Sequence, residues 1–145
     1  MKITAEISNE RSAYSVSLTT GERVQALEVP AKPTGGSQVN GGELLCLALA
    51  TCYCNDVYRE AAKRGITIDG VSVNVEADFG AEGAAATNIV YRAQVESAAA
   101  ASEIDALLTY TDTVAEIQNT LRSGVAVTFE RAAGRSDDRR RNENG

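Results

Sequence analysis

The chain carries three cysteines and no histidine among its 145 residues. Without an imidazole, Ser-His-Asp triads, Cys-His dyads, HExxH zinc sites and histidine general bases are all excluded. The thiols of Cys46, Cys52 and Cys54 are therefore the most distinctive nucleophiles in the sequence. Because the thiolate is the reactive form, the charges around each sulfur decide whether it can do chemistry.

All three cysteines fall within residues 43–64, a stretch that contains neither glycine nor proline. Its composition predicts one helix of about six turns that ends at Gly65. Apolar residues between positions 44 and 54 point in every direction around this helix, so we expect its first half to be buried on all sides. Polar residues gather on one face of the second half, which predicts a solvated surface there.

Cys52 lies at the boundary between these two halves. On a helical wheel it projects within about 20° of Arg59 and Lys63 and about 40° from Asp56. A carboxylate beside the thiol would raise its pKa, whereas an arginine would lower it. The sequence leaves both outcomes open.

The three thiols diverge along the helix. Cys54 projects about 200° from Cys52, and Cys46 lies about 9 Å away along the axis, so an intact helix forms no disulfide between them. Three diverging sulfurs without an imidazole also do not make a tetrahedral zinc site, and we predict neither a metal nor a cofactor. We interpret Cys46 as a core residue. Cys54 fits a packing role and a chemical role equally well.

Alternating apolar residues predict strands on both sides of the central helix. A loop with both prolines and four glycines precedes the helix, at residues 30–42. Ser102 is a candidate N-cap for a second helix that runs through Leu108, and Asp112 or Thr113 could cap a third that ends at Gly124. The predicted strands are 3–7, 14–18, 24–29, 71–79, 89–95 and 125–129.

This order, β-β-β-α-β-β-α-α-β, predicts an α+β fold. We assign residues 1–133 to a single domain and residues 134–145 to a polar, flexible tail. The net charge is −6, and the tail contributes +1, so the body is acidic and a poor partner for nucleic acid. The longest apolar run is too short to span a membrane. Three cysteines without a secretory signal predict a reducing, cytoplasmic location.

The segment 41–56, GGELLCLALATCYCND, resembles the central-helix signature of the OsmC/Ohr superfamily, and Cys52 matches the reactive cysteine of that signature. The later segment 114–127, VAEIQNTLRSGVAV, is similar to the helix that carries the second cysteine of the family and to the final strand that follows it. The resemblance covers residues 1–131 and both segments stand at the expected separation.

The resemblance implies an OsmC-like fold with antiparallel sheets around a long central helix, in an intertwined homodimer with its site at the subunit interface. It also implies a peroxidase of the stress response that reduces organic or hydrogen peroxide through Cys52. An external thiol, or Cys54 of the partner subunit, would then reduce the sulfenic acid. Glu43 is the acidic residue nearest to the family's glutamate, although it also fits a favourable charge at the helix start.

The sequence departs from the family pattern at three positions. Ala115 stands where the second cysteine is expected, and Gly42 stands where the glutamate is expected, one place before Glu43. Arg23 is the nearest candidate for the loop arginine of the family. A second hypothesis is therefore a non-catalytic OsmC-like domain that binds a small apolar ligand. A third is thiol chemistry through a disulfide between subunits that uses Cys54.

Overall fold

The structure is a computed structural model that describes residues 1–133, so the predicted tail at 134–145 lies outside the described residues. Three antiparallel strands form one sheet and two form another, and the helices α1, α2 and α3 complete the α+β fold. The strands are β1 (Ile3–Glu10), β2 (Ala13–Thr20), β3 (Arg23–Ala26), β4 (Gly70–Asp78) and β5 (Thr87–Glu96), and the helices are α1 (Gly41–Lys63), α2 (Ala101–Thr113) and α3 (Glu116–Ser123).

The period-two pattern of the sequence is realised in both sheets. In the first, β1 and β2 pair with Ile7 opposite Val16, and the turn into β3 passes through Gly21 at a φ of 57°. Glycine suits that position because it adopts positive φ without steric cost. In the second sheet, β4 and β5 pair with Val75 opposite Tyr91.

The central helix α1 begins with a capping box. The Asn40 side chain accepts the backbone N–H of Glu43 at 2.8 Å, and the Glu43 carboxylate accepts the backbone N–H of Asn40 at 3.1 Å. These reciprocal bonds satisfy two donors that the helix itself leaves unpaired. Gly65, at a φ of 65°, follows the last turn, so the helix predicted over 43–64 is confirmed to within two residues.

The core forms where α1, α2 and the second sheet meet. Its buried members include Tyr53, Val57 and Ala61 from α1 and Leu107 from α2. The Tyr53 hydroxyl donates a hydrogen bond to the Leu108 carbonyl at 2.8 Å, which satisfies a polar group inside an apolar environment. This core fixes the second half of α1 and the residues that project from it.

Burial along α1 differs from the sequence-based expectation. Leu47, in the half expected to be buried on all sides, is 55% exposed, whereas Asp56 and Glu60, expected on a solvated face, are buried. The physical reason is that the core cluster gathers around Val57 and Ala61, in the second half of the helix. Part of the first half keeps an apolar surface that the described chain leaves open.

The prediction of a strand over residues 125–129 is wrong for the described chain. Its backbone is not assigned to a strand, and Val125, Val127 and Phe129 are 61%, 98% and 90% exposed. The alternation of apolar residues is typical of a strand, but a strand also needs a neighbouring backbone with which to pair. In residues 1–133 no neighbouring strand pairs with this segment.

The helix caps predicted after residue 100 are also wrong. Helix α2 begins one residue before Ser102, with Ala100 as its N-cap, and continues to Thr113. In helix α3 the N-cap position is held by Ala115, which makes no side-chain cap, rather than by Asp112 or Thr113. A side-chain cap stabilises a helix by only about 1 kcal/mol, so burial of apolar residues in the core outweighs it.

None of the helices described is long and apolar enough to pass through a bilayer.

Candidate functional site

The thiol of Cys52 lies where α1 meets the start of α3. Cys52 is half-buried, and its Sγ donates a hydrogen bond to Oδ2 of Asp56 at 3.6 Å. Oε2 of Glu116 lies 3.8 Å from the same sulfur. Asp56 is one turn further along α1, as the helical wheel predicts, and Glu116 is the first residue of α3. Two carboxyl groups therefore face one thiol.

Arg59 joins these carboxyl groups. Its Nη1 lies 2.9 Å from Oδ1 of Asp56 and 3.5 Å from Oε1 of Glu116. Its Nε donates a hydrogen bond to Oε1 of Glu60 at 3.1 Å, which fixes the guanidinium from the other side. Because one oxygen of Asp56 is bound to Arg59, the other is left to accept the thiol of Cys52.

The surroundings of Cys52 favour the neutral thiol. Burial raises the pKa of Cys52 above its ordinary value, and the backbone N–H of Ile117 offsets part of that rise. The negative charges of Asp56 and Glu116 raise the pKa further. Of the two outcomes that the sequence left open, the structure favours a raised pKa of Cys52, to which burial contributes most and the two carboxylates add.

The two carboxyl groups differ in their affinity for a proton. Burial and the charge of Glu116 raise the pKa of Asp56 above its ordinary value, and the charge of Arg59 counteracts this only in part. The pKa of Glu116 is lowered, chiefly by its own backbone N–H at the start of α3. Of the two carboxyl groups, Asp56 therefore binds a proton more readily than Glu116.

The same group is the candidate metal-binding set in residues 1–133. One ligand atom each from Cys52, Asp56 and Glu116 lie within 4.8 Å of one another. A cation would have to share this space with Arg59, whose guanidinium already supplies a positive charge beside both carboxyl groups. The absence of a metal and a cofactor stays a prediction from the sequence.

The other predicted site residues do not converge on Cys52 within one chain. Glu43 lies nine residues earlier on α1, about 13 Å along the axis, and its carboxylate caps the helix. Cys46 and Cys54 are half-buried free thiols, and Arg23 is exposed at the start of β3. The catalytic roles assigned to Glu43 and Cys54 stay predictions.

Gly42 occupies a crowded position. A Cβ atom at this residue would come within 3.0 Å of the Phe79 ring and 3.3 Å of the Asn40 side chain. A glutamate here, as the family pattern would place it, would require the Phe79 ring to move. The space that a side chain at position 42 would need is thus occupied by the ring of Phe79, the residue that follows β4.

A large open cavity lies beside this position. It has a volume of about 860 Å³, and Val75, Ala77 and Phe79 contribute apolar walls, while Glu43 and Cys46 line it from α1. Cys52 is not among its lining residues. This cavity and the thiol site are therefore two separate places on the same helix.

Sequence reasoning missed Glu116 as a residue of the thiol site. It follows directly after Ala115, the position at which the resemblance places a second cysteine, and this adjacency was the available signal. Arg59 was placed near Cys52 on the helical wheel, but its role as a bridge between two carboxyl groups depends on α3.

Comparison with known proteins gives a consistent family assignment. The family model for OsmC-like proteins matches residues 34–130. An OsmC-like protein from Mycoplasma pneumoniae superposes with a TM-score of 0.59 at 19% identity, covering 84% of this chain and 89% of that one. Curated protein sequences give no significant match.

Two further solved structures carry a functional description. The organic hydroperoxide resistance protein OsmC from Legionella pneumophila has a TM-score of 0.57 at 20% identity, over 84% of this chain and 90% of that one. An organic hydroperoxide resistance protein from Elizabethkingia anophelis has a TM-score of 0.57 at 15% identity, over 84% of this chain and 89% of that one. At these identities the likeness shows the fold, with its antiparallel sheets and helices, as the sequence predicts.

Proposed function

Since the chain belongs to the OsmC-like protein family, we propose that it is a thiol-dependent peroxidase that reduces organic or hydrogen peroxide through Cys52. The observation that carries this proposal is the environment of the sulfur. Cys52 is half-buried rather than sealed, and the carboxyl group of Asp56 accepts its S–H at 3.6 Å. A thiol with a proton acceptor in contact and access from solvent has what attack on a peroxide requires.

The proposed reaction oxidises the sulfur and reduces the peroxide. Cys52–SH and ROOH give Cys52–SOH and ROH, with an S–O bond formed and the O–O bond broken. An external thiol then forms a mixed disulfide with Cys52 and releases water, and a second thiol frees Cys52. Cys54 of the partner subunit is the alternative for the first of these two reducing steps.

Two kinds of support favour a peroxide as substrate. The proteins from Legionella pneumophila and Elizabethkingia anophelis are described as organic hydroperoxide resistance proteins, and they share this fold. The three cysteines of this chain are free thiols in the structure, which suits a reducing, cytoplasmic location with thiol reductants at hand. We include that location in the proposal.

We also propose that the protein acts as an intertwined homodimer. Leu47 on α1 is 55% exposed, and the segment 125–129 presents Val127 and Phe129 almost fully to solvent. Exposed apolar residues of this size and an unpaired strand-like segment are typical of surfaces that another chain covers. Size-exclusion chromatography with light scattering tests this, because Val127→Asp should shift the protein from dimer to monomer.

The peroxidase proposal is tested with reduced protein and cumene hydroperoxide. We expect the wild type to consume the peroxide and to form a sulfenic acid that dimedone traps on Cys52, as read by mass spectrometry. Cys52→Ser should abolish both signals, and Cys46→Ser, which alters a thiol on the cavity side of α1, should retain them. If the wild type consumes peroxide no faster than Cys52→Ser, the proposal is wrong.

The second candidate function is a non-catalytic domain that binds a small apolar ligand. The cavity of about 860 Å³ beside Phe79 favours it, as does the raised pKa of Cys52. Native mass spectrometry of the purified protein should then reveal a bound small molecule. Phe79→Ala, which removes an apolar wall, should release that molecule, while Cys52→Ser should leave it in place.

A further inference from the structure

The surroundings of Cys52 favour the neutral thiol over the thiolate. The sulfur must therefore lose a proton when it reacts. The sulfur is flanked by carboxyl groups, and Arg59, the cation that residues 1–133 place beside these groups, is already bound to both of them. An arginine that stabilises a preformed thiolate is therefore not what the described residues provide. The described residues instead favour loss of the proton as the sulfur attacks.

Asp56 is placed to take that proton. Its Oδ2 accepts the thiol at 3.6 Å, while its Oδ1 is held by Arg59 at 2.9 Å. The side chain is 8% exposed, so bulk water does not compete freely for it. Glu116 lies slightly further from the sulfur, at 3.8 Å, and its side chain is 65% exposed. Of the two carboxyl groups, Asp56 is the nearer and the better shielded.

We propose that Asp56 is a catalytic proton relay for Cys52, which accepts the thiol proton during attack and returns it to the departing oxygen of the peroxide. This inference rests on the peroxidase proposed above. Arg59 and Glu116 are positioning residues, because Arg59 orients the Asp56 carboxyl group and Glu116 holds Arg59 from α3.

The relay balances in atoms and electrons. A sulfur lone pair forms the S–O bond, and the O–O bonding pair leaves with the alkoxide, so sulfur is oxidised and the peroxide is reduced. The S–H proton passes to Oδ2 of Asp56 and then to the alkoxide, which departs as the alcohol. Asp56 ends the step as it began, ionised and ready for the next proton.

The electrostatics of the site suit both halves of this transfer. The groups that face Asp56 are Arg59 from its own helix and Glu116 from α3, and burial together with Glu116 raises the pKa of Asp56. A carboxyl group with a raised pKa is a stronger base toward the thiol than an ordinary aspartate. The protonated carboxyl group is still a much stronger acid than an alcohol, so it can protonate the departing alkoxide.

The decisive experiment compares two reactions of Cys52 in Asp56→Asn. Alkylation by iodoacetamide reports thiolate, and removal of a neighbouring negative charge should accelerate it severalfold at pH 7. Single-turnover sulfenic acid formation with cumene hydroperoxide needs the relay, and it should slow by about 10²-fold, in the range of general acid–base catalysis. Asp56→Glu should recover part of the peroxide rate, and the exposed Glu76→Gln serves as the matched control.

The possible outcomes separate this inference from the proposed function. If both rates rise in Asp56→Asn, or if both fall, Asp56 is not a relay and the inference is overturned. If the wild type alkylates normally but does not react with peroxide, the peroxidase proposal itself fails.

The wild type alone provides a second measurement. Sulfenic acid formation should be slower in D₂O at matched pD if the proton moves during attack, and an unchanged rate would overturn the relay.

Discussion

The sulfur of Cys52 and the carboxylate of Glu116 lie 3.8 Å apart although 64 positions separate the two residues. Cys52 projects from the middle of α1, and Glu116 opens α3, directly after the buried Ala115. The packing of these two helices therefore gives the thiol an acidic neighbour beside the position where the family resemblance expects a second thiol. The chemistry of the site depends on how the remaining charges balance that neighbour.

Removal of the bridging cation should make Cys52 less reactive. In Arg59→Gln, the charges of Asp56 and Glu116 lose their counter-ion, so the pKa of Cys52 should rise further. Each unit of that rise lowers the thiolate fraction, and the rate of iodoacetamide alkylation at pH 8, about tenfold. Arg92→Gln, which breaks an exposed ion pair with Glu76, is the control and should alkylate like the wild type. Equal rates in the two variants would contradict the role of Arg59.

A cysteine at position 115 should give Cys52 a resolving partner. Ala115 is fully buried in the core cluster against which Cys52 packs. After one equivalent of peroxide, Ala115→Cys should form an intramolecular disulfide, seen as a mass decrease of two hydrogen atoms and a thiol titre that falls by a pair. Ala115→Ser is the size-matched control and should retain a dimedone-reactive sulfenic acid. A sulfenic acid that persists in Ala115→Cys would show that the two positions do not meet.

Acid should destabilise the protein through Glu60. This buried carboxylate accepts hydrogen bonds from Lys63 and Arg59, each at 3.1 Å. The bond from Lys63 has the largest effect and, together with that from Arg59, holds the pKa of Glu60 below its ordinary value.

The folded protein then binds the proton of the Glu60 carboxyl group more weakly than the unfolded chain does. The contribution of Glu60 to the free energy of unfolding is therefore complete above the ordinary glutamate pKa of about 4.3. It is lost as the pH falls through the lowered pKa of the folded state. Urea unfolding at several pH values should therefore show Glu60→Gln less stable than wild type at pH 7. The difference should narrow on acidification, and a difference that widens would refute the assignment.

The core contact between α1 and α2 should dominate stability. Leu107 is fully buried beside Val57 and Tyr53, so Leu107→Ala should lower the free energy of unfolding by about 2–5 kcal/mol through lost burial and the remaining cavity. Val24 on β3 is 65% exposed, and Val24→Ala should change stability by no more than about 0.5 kcal/mol. Chemical denaturation with fluorescence detection of the tyrosines measures both values. Similar losses in both variants would contradict this placement of the core.

The sequence by itself determined the first five strands and the central helix, but not the state of residues 125–129 or the starts of the two later helices. The absence of glycine and proline over 43–64 predicted α1. The alternation of apolar and polar residues around Val73 and Tyr91 predicted the hairpin of β4 and β5. Both predictions were possible because backbone propensity and the period of apolar residues are local properties. The helix period also placed Asp56 and Arg59 near Cys52. The family resemblance identified Cys52 and drew attention to Ala115.

Only the tertiary structure decided what surrounds the thiol. Glu116 reaches Cys52 because α3 packs against α1, and Arg59 becomes a bridge because both carboxyl groups lie within its reach. The burial of Glu60 and the unpaired state of residues 125–129 likewise depend on which elements meet. No local pattern encodes such meetings, since they follow from the packing of side chains that are distant in sequence. The charge balance at Cys52, and with it the protonation of the thiol, is therefore a property of the folded chain.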